Sequence, residues 1–355
     1  MTDLRSAGLD RRRFLAVGGV VGAGAVLAAC TSNEPDTPAA ENGQAAAPAG
    51  DNAAPGQQVT IGFSGPQGDH GWIAAISKNA EAQAKKYSDV TFEPVEATNE
   101  VTRQISSIET LIAKKVNSLV ILPFDGKALT AVAQKAMNAG IPVVNLDREF
   151  DTPLAYRTLI KGDNYGMGVS AATYIGEQLK AKNVSNPVIV EIAGIDNLQL
   201  TQDRSRGFKE TLAKYGYTIK ARQAASFTVE SGQQVTANVL QAEPKIDAMW
   251  NHDDDQGVGV LAAIQQAGRD EFFMVGGAGS ANAMRAIKDD STVLKATVTY
   301  SPSMASSAIS LARLIAQDKG MTDLVEKEVP ASITLASETI TRENVDQYMS
   351  LGFES

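Results

Sequence analysis

The stretch Ser118-Leu119-Val120-Ile121-Leu122, followed after a helix-length interval by Ile141-Pro142-Val143-Val144-Asn145-Leu146-Asp147-Arg148, decides the fold class. Each run is apolar almost without alternation, the pattern of a strand covered on both faces, as in a parallel sheet held between helices. Outward from these runs, β-branched stretches at 59–63, 90–95, 187–192, 246–250, 272–276 and 294–299 alternate with segments of helical period. In 72–87, for example, Ile73, Ile76, Ala80, Ala84 and Tyr87 recur at spacings of three and four. Strands alternating with helices predict an α/β protein with helices on both faces of parallel sheets. A chain of 355 residues exceeds what one core organises, so two lobes are expected. Ligands of such sheets gather beyond the carboxyl ends of the strands.

Charge and composition narrow the function. The chain has 32 basic and 41 acidic residues, net −9, and an acidic surface of this size repels phosphate backbones and argues against a nucleic-acid partner. Two histidines, His70 and His252, and the single cysteine Cys30 are too few for a zinc site or an intrachain disulfide, so no metal or other cofactor is expected. The N-terminus reads as an address: Asp10-Arg11-Arg12-Arg13-Phe14-Leu15 opens an apolar run that closes on Leu27-Ala28-Ala29-Cys30. The run of 14–29 is short for a membrane span, and small residues stand where a peptidase would cut. The pattern resembles a twin-arginine signal fused to a bacterial lipobox, which implies removal of residues 1–29 and lipidation of Cys30. Removing 1–29, with four arginines and two aspartates, takes the net charge from −9 to −11. Residues 30–58 are mostly Ala, Pro, Asn, Gly and Gln and are expected to form a flexible tether.

The segments after the strand ends are polar and aromatic. They are Ser64 to Trp72 with Asp69 and His70, then Asp147-Arg148, then Ile195 to Gln199 with Asp203-Arg204, and Asn251-His252-Asp253-Asp254-Asp255. Carboxylates accept from adjacent hydroxyls, guanidinium forks donate to hydroxyl oxygens, and an aromatic face packs on C–H groups, a combination that suits a polyhydroxylated ligand. Plainer roles compete. Asp147-Arg148 reads equally as a surface ion pair, Trp72 as a core residue, and one of the three aspartates, Asp254 or Asp255, as the N-cap of a helix over 256–267.

From about Val59 onward the chain resembles the type I periplasmic sugar-binding proteins, a group with ribose- and galactofuranose-binding members. The resemblance is carried by Gly62-Phe63-Ser64 with Gly71-Trp72, Ile141-Pro142-Val143 running into Leu146-Asp147-Arg148, Gly162-Asp163-Asn164, Arg204-Ser205-Arg206-Gly207-Phe208, Phe227, and Asn251-His252-Asp253-Asp254. It implies two Rossmann-like lobes joined by three crossovers, placed near Gly162, Tyr300 and Pro330. The N-terminal lobe is then 59–162 with 301–329, and the C-terminal lobe 163–300 with 330–355. It also implies Trp72 as a stacking aromatic and Asp147 with Arg148 as a clamp from the first lobe. Arg204, Phe227 and Asp253 answer from the second, with Asp69 and His70 in the first turn and Tyr300 at a crossover as further ligand contacts. Asp253 stands where asparagine is common, and Ala278 where the ribose-type pattern has an aspartate, so a ligand other than ribose is expected.

The implied function is that of an exported, monomeric substrate-binding lipoprotein, anchored by its N-terminal lipid to the outer face of the bacterial cytoplasmic membrane. It would deliver a monosaccharide or sugar alcohol to ABC transporter permease subunits. A sensor subunit presenting ligand to a receptor is the alternative. A repressor of the same fold would need a basic headpiece, which the export signal replaces. An enzyme would need acid and base pairs such as Asp147, Asp253 and His70 to act on a glycoside, and the resemblance argues against that reading.

Overall fold

The computed structural model describes residues 52–322 and 324–355. The signal segment, Cys30 and residues 30–51 of the expected tether lie outside the described residues. Two six-stranded sheets form two lobes. In the first, β1 (Val59–Ser64), β2 (Val90–Pro94), β3 (Ser118–Ile121), β4 (Val143–Leu146), β5 (Thr158–Gly162) and β11 (Ser332–Leu335) run in the order β11-β5-β4-β3-β1-β2, every pair parallel. In the second, β6 (Ile189–Ala193), β7 (Ile219–Ala224), β8 (Ala248–Asn251), β9 (Phe273–Ala278), β10 (Leu294–Thr299) and β12 (Thr339–Thr341) run in the order β12-β10-β9-β8-β6-β7, with only β12 antiparallel.

The central strands are continuous apolar runs because helices cover both faces: all four residues of β3 are fully buried. On the first sheet, α1 (Gly71–Ala84) packs with α9 (Met304–Ala316), and α2 (Val101–Ala113) packs with α3 (Gly126–Asn138). On the second, α4 (Asn164–Ala181) packs with α5 (Gln199–Lys214), and α6 (Val229–Ala242) packs with α7 (Asp254–Gln266); α8 (Ala281–Asp289) lies against β10. One apolar cluster runs from Phe63, Trp72 and Ile76 through Tyr300 and Ala278 to Met167, Phe208 and Trp250, so the core passes without interruption through the hinge.

The chain crosses between sheets three times: from β5 into α4 at Asp163, from β10 into α9 at 300–303, and from β11 into β12 at 336–338. The third crossover, expected near Pro330, therefore lies further along. Ser332-Ile333-Thr334-Leu335 adds to the edge of the first sheet in register with Leu159, Ile160, Lys161 and Gly162, so 330–335 belongs with the first lobe.

The expected tether also ends earlier than Gln58. Arg313, its side chain 2 % exposed, binds both oxygens of buried Asp89 at 2.8 and 2.5 Å and donates to the carbonyls of Asn52 at 2.6 Å and Ala54 at 2.8 Å. Gly56 N donates to the same carboxylate, and Gln317 Nε2 bridges it to the Gln57 carbonyl. The guanidinium lies 4.4 Å from the centre of the Tyr87 ring. Residues 52–58 are thus fastened to the first lobe by backbone bonds that their composition does not reveal.

The Arg313 bonds hold Asp89 far below the usual carboxylate range, outweighing its burial. Arg313→Ala is expected to lower the unfolding free energy by about 3 to 5 kcal/mol, since one member of a buried pair is left alone; urea denaturation measures this. A depressed carboxylate contributes stability that is complete above its ordinary pKa and is lost as pH falls through the depressed value. Asp89→Asn should therefore remove an acid-side loss of stability that the wild type shows.

Candidate functional site

The carboxyl ends of the first-lobe strands face those of the second, and the polar segments after them meet in one small cavity between the lobes. Eight of the nine expected residues line it: His70, Trp72, Asp147 and Arg148 from the first lobe, Arg204, Phe227 and Asp253 from the second, and Tyr300 from the hinge. Leu200, in the first turn of α5, joins them. As an apolar residue in Asn197-Leu198-Gln199-Leu200, it offered no polar signal. Asp69 does not line the cavity. It is exposed, accepts from His70 Nδ1 at 2.6 Å and from Asn99 Nδ2 at 3.0 Å, and so orients the histidine from outside.

Tyr300 sits at the centre. Its hydroxyl donates a short hydrogen bond to Asp147 Oδ1 and accepts from Asn164 Nδ2 at 3.1 Å, its carbonyl accepts the Trp72 indole N–H at 2.8 Å, and its amide donates to the Ala278 carbonyl at 3.1 Å. The Trp72 and Tyr300 ring centres are 5.7 Å apart, and the Arg204 guanidinium lies 4.5 Å from the Tyr300 ring centre. A Cβ at position 162 would stand 2.1 Å from Tyr300 Cε2, so the first crossover must carry a glycine there. Burial, joined by the charge of Asp147, pushes the phenol above its ordinary range; burial likewise raises Asp147, against the opposing Tyr300 bond and Arg148 charge. Asp147 is 4 % exposed, so the surface ion-pair reading fails.

Arg204 is fixed by bonds from Nε to Asn164 Oδ1 at 2.9 Å and from Nη1 to the His252 carbonyl at 3.1 Å. Arg148 donates from Nη1 to the Phe124 carbonyl at 2.7 Å, while its buried Nε has no protein partner among the described residues. Asp147, Phe227 and Ala278 adopt positive φ of 65°, 63° and 93°, a region L residues enter at a cost and chiefly at functional sites. Phe227 is held there by its amide's bond to Gln256 Oε1 at 3.0 Å and by Gly194, whose missing side chain makes room for the ring. Ala278 does not line the cavity; its carbonyl supports the Tyr300 amide instead.

The three consecutive aspartates divide three tasks. Asp253 is the N-cap of α7, its Oδ1 accepting from Asp255 N at 2.9 Å and Gln256 N at 3.1 Å. The cap expected at Asp254 or Asp255 therefore belongs to the residue that also lines the cavity, because α7 begins two residues earlier than its apolar pattern suggests. Asp254 points into the second lobe and accepts from Gly277 N at 2.9 Å, Ser280 N at 2.8 Å and Thr297 Oγ1 at 3.0 Å. Asp255 points across to the first lobe and accepts from Trp72 N at 2.9 Å. Burial pushes Asp254 and Asp255 up to about 7, against the bonds each accepts, and the charge of Asp253 adds to the rise. Burial lowers His70, but its bond to Asp69 and the charges of Asp253, Asp69 and Asp255 together hold it above its ordinary value.

No group of histidine, cysteine and carboxylate side chains among the described residues is arranged to hold a metal ion, and no described helix is long and apolar enough to cross a membrane. The arrangement presents donors, acceptors and aromatic faces from both lobes to one small volume.

Residues 61–320 match the family model described as periplasmic binding protein domain. The ribose import binding protein RbsB of Bacillus subtilis is 31% identical over 248 residues, covering 70% of this chain and 78% of that protein. A Mycobacterium smegmatis structure in complex with β-D-fucofuranose superposes with a TM-score of 0.74 at 27% identity, covering 82% of this chain and 94% of that one. The binding protein of the arabinose ABC transporter from Shewanella sp. ANA-3, bound to α- and β-L-arabinofuranose, gives 0.72 at 26% identity with coverage of 82% and 94%.

Asp254→Ala is expected to cost about 1 to 3 kcal/mol of stability by stranding two buried amides and a hydroxyl. The pH dependence has a definite sign. A carboxyl raised to about 7 in the folded state destabilises it progressively as pH rises above the ordinary carboxylate pKa, until the effect levels off above about 7. Melting temperature should fall between pH 5 and pH 8 in the wild type, and fall less in Asp254→Ala.

Proposed function

The chain belongs to the periplasmic binding protein domain family, in its type I sugar-binding group, and from that premise we propose that it is the extracytoplasmic substrate-binding lipoprotein of an ABC importer, closing its lobes on a monosaccharide or sugar alcohol. The observation that carries the reading is the convergence of Asp147 and Arg148 from one lobe with Arg204, Phe227 and Asp253 from the other on a single cavity. Asp147 and Asp253 supply acceptors for hydroxyl protons, the unpartnered Arg148 Nε supplies a donor, and Trp72 and Phe227 supply faces for C–H groups. Such a set matches a polyol hydroxyl by hydroxyl.

Two of the similar solved structures hold furanoses, which favours a five-membered ring. The backbone at Ala278 supports Tyr300 and brings no carboxylate to the cavity, in keeping with a ligand whose hydroxyls lie differently from those of ribopyranose. Ligand groups bound by both lobes are satisfied only in the closed form, so occupancy shifts the population toward closure, the shape an importer would read. Export and anchoring rest on Arg11-Arg12 and on the Leu27-Ala28-Ala29-Cys30 segment.

A calorimetric panel of pentoses, hexoses and alditols is expected to find at least one ligand bound reversibly and recovered unchanged. Absence of binding across the panel, or conversion to product, overturns the reading. Asp147→Ala should weaken the best ligand by about 2 to 4 kcal/mol while the melting curve stays cooperative; normal affinity would remove Asp147 from the site. For the address, Cys30→Ala should release the processed protein from the membrane fraction, and a variant that is processed normally yet stays fully bound would contradict lipidation at Cys30.

A further inference from the structure

Helix α1 begins without a cap of its own. His70 occupies the N-cap position and its side chain makes no capping bond, yet the helix runs for 14 residues. The first four N–H groups of a helix have no partner within it, and a carboxylate near them is favoured by both hydrogen bonding and the helix dipole. That carboxylate comes from the other lobe. Asp255, 2 % exposed, in the first turn of α7, accepts from the Trp72 amide at 2.9 Å across the cleft. Trp72 itself is 5 % exposed, so the bond is shielded from water.

The approach is close from the first-lobe side as well. A Cβ on Gly71 would stand 2.5 Å from Asp255 Oδ1, 2.5 Å from the Glu354 carbonyl and 2.8 Å from Ser355 Cα. The carboxy-terminal segment belongs with the second lobe, since Phe353 accepts from Ala281 N and Glu354 pairs with Arg285. Position 71 is thus where the second lobe presses on the start of α1, and no side chain fits there while the lobes are together. Asp255 is absent from the residues lining the ligand cavity.

We propose that Asp255 is an interlobe latch, a positioning residue that caps α1 only when the lobes are closed and thereby sets how much binding free energy closure requires. This rests on the reading of the cleft as a closing ligand site. A contact made in the closed form but not to the ligand changes the fraction of binding-competent protein, and so scales the affinity for every ligand by one factor. A contact to the ligand changes affinities unequally.

Two variants perturb the latch from opposite lobes. Asp255→Ala removes the carboxylate, and Gly71→Ala inserts a methyl where the lobes meet. Each should raise Kd by the same factor, roughly ten-fold, for all ligands that bind, with faster dissociation and unchanged rank order. Because the methyl also meets the Glu354 carbonyl and Ser355 Cα, the double variant should be worse than Asp255→Ala but little worse than Gly71→Ala. The Trp72 amide gives a second readout, specific to the contact. Lying in the first turn, it has no partner within its own helix, so its protection from hydrogen exchange reports the latch. At saturating ligand it should be protected in the wild type and lose that protection in both variants. An unprotected Trp72 amide in the ligand-saturated wild type, unchanged affinities in both variants, or factors that differ from ligand to ligand would overturn the latch. If no sugar binds at all, the proposed function falls and the latch with it; a sugar that binds while the Trp72 amide stays unprotected sinks the latch alone.

Discussion

The hydrogen bond from the Tyr300 phenol to Asp147 is the interaction on which the rest of the site depends. Tyr300 stands at the second crossover, Asp147 at the end of β4, and Asn164, the phenol's other partner, at the start of α4 just past the first crossover. One side chain therefore ties a first-lobe strand end to two of the three hinge segments. The same residue bears the Trp72 indole on its carbonyl and lies under the Arg204 guanidinium, so the aromatic of one lobe and the cation of the other are positioned from the hinge. Gly162 is the condition for this, because any larger residue would occupy the volume of the Tyr300 ring.

Around that centre the structure gathers more buried negative charge than a core accepts without compensation. Asp147, Asp253, Asp254 and Asp255 are all buried, and burial raises each of them. Backbone amides share in the compensation: those of Asp255 and Gln256 for Asp253, of Gly277 and Ser280 for Asp254, and of Trp72 for Asp255. His70 and Arg204 add positive charge beside Asp253. The strained φ angles at Asp147, Phe227 and Ala278 belong to the same design, since all three lie at or just past strand ends turned toward the cleft or hinge and are held by specific hydrogen bonds. Stability and site geometry are coupled here, as Asp253 lines the cavity while capping α7 and its neighbours Asp254 and Asp255 hold the β9–β10 edge and α1.

Much of this was legible in the amino-acid sequence because burial on both faces leaves continuous apolar runs, as at 118–122 and 141–146. Of the four edge strands only β2 was legible. Ile219-Lys220-Ala221-Arg222-Gln223-Ala224 and Ser332-Ile333-Thr334-Leu335 keep one side toward solvent and carry polar residues, and the short β5 and β12 lack a long apolar run. Missing β11 is what displaced the third crossover toward Pro330. The cavity residues were recognisable as polar or aromatic side chains after strand ends, but their individual tasks were not. Consecutive residues at a helix start point in different directions, so Asp253, Asp254 and Asp255 look alike in sequence and differ completely in partners. Asp69 and Leu200 show the same limit from opposite sides, a charged residue that supports from outside and an apolar one that lines the cavity.

The central claim is that one polyhydroxylated ligand is held by both lobes at the Tyr300 hinge. A crystal structure of the protein saturated with its best-binding sugar tests it most directly. Density is expected for one molecule that touches Asp147 and Arg148 on one side and Arg204 and Asp253 on the other, with Trp72 or Phe227 against its C–H face. Density attached to a single lobe, or a ligand bound outside this cleft, would contradict it.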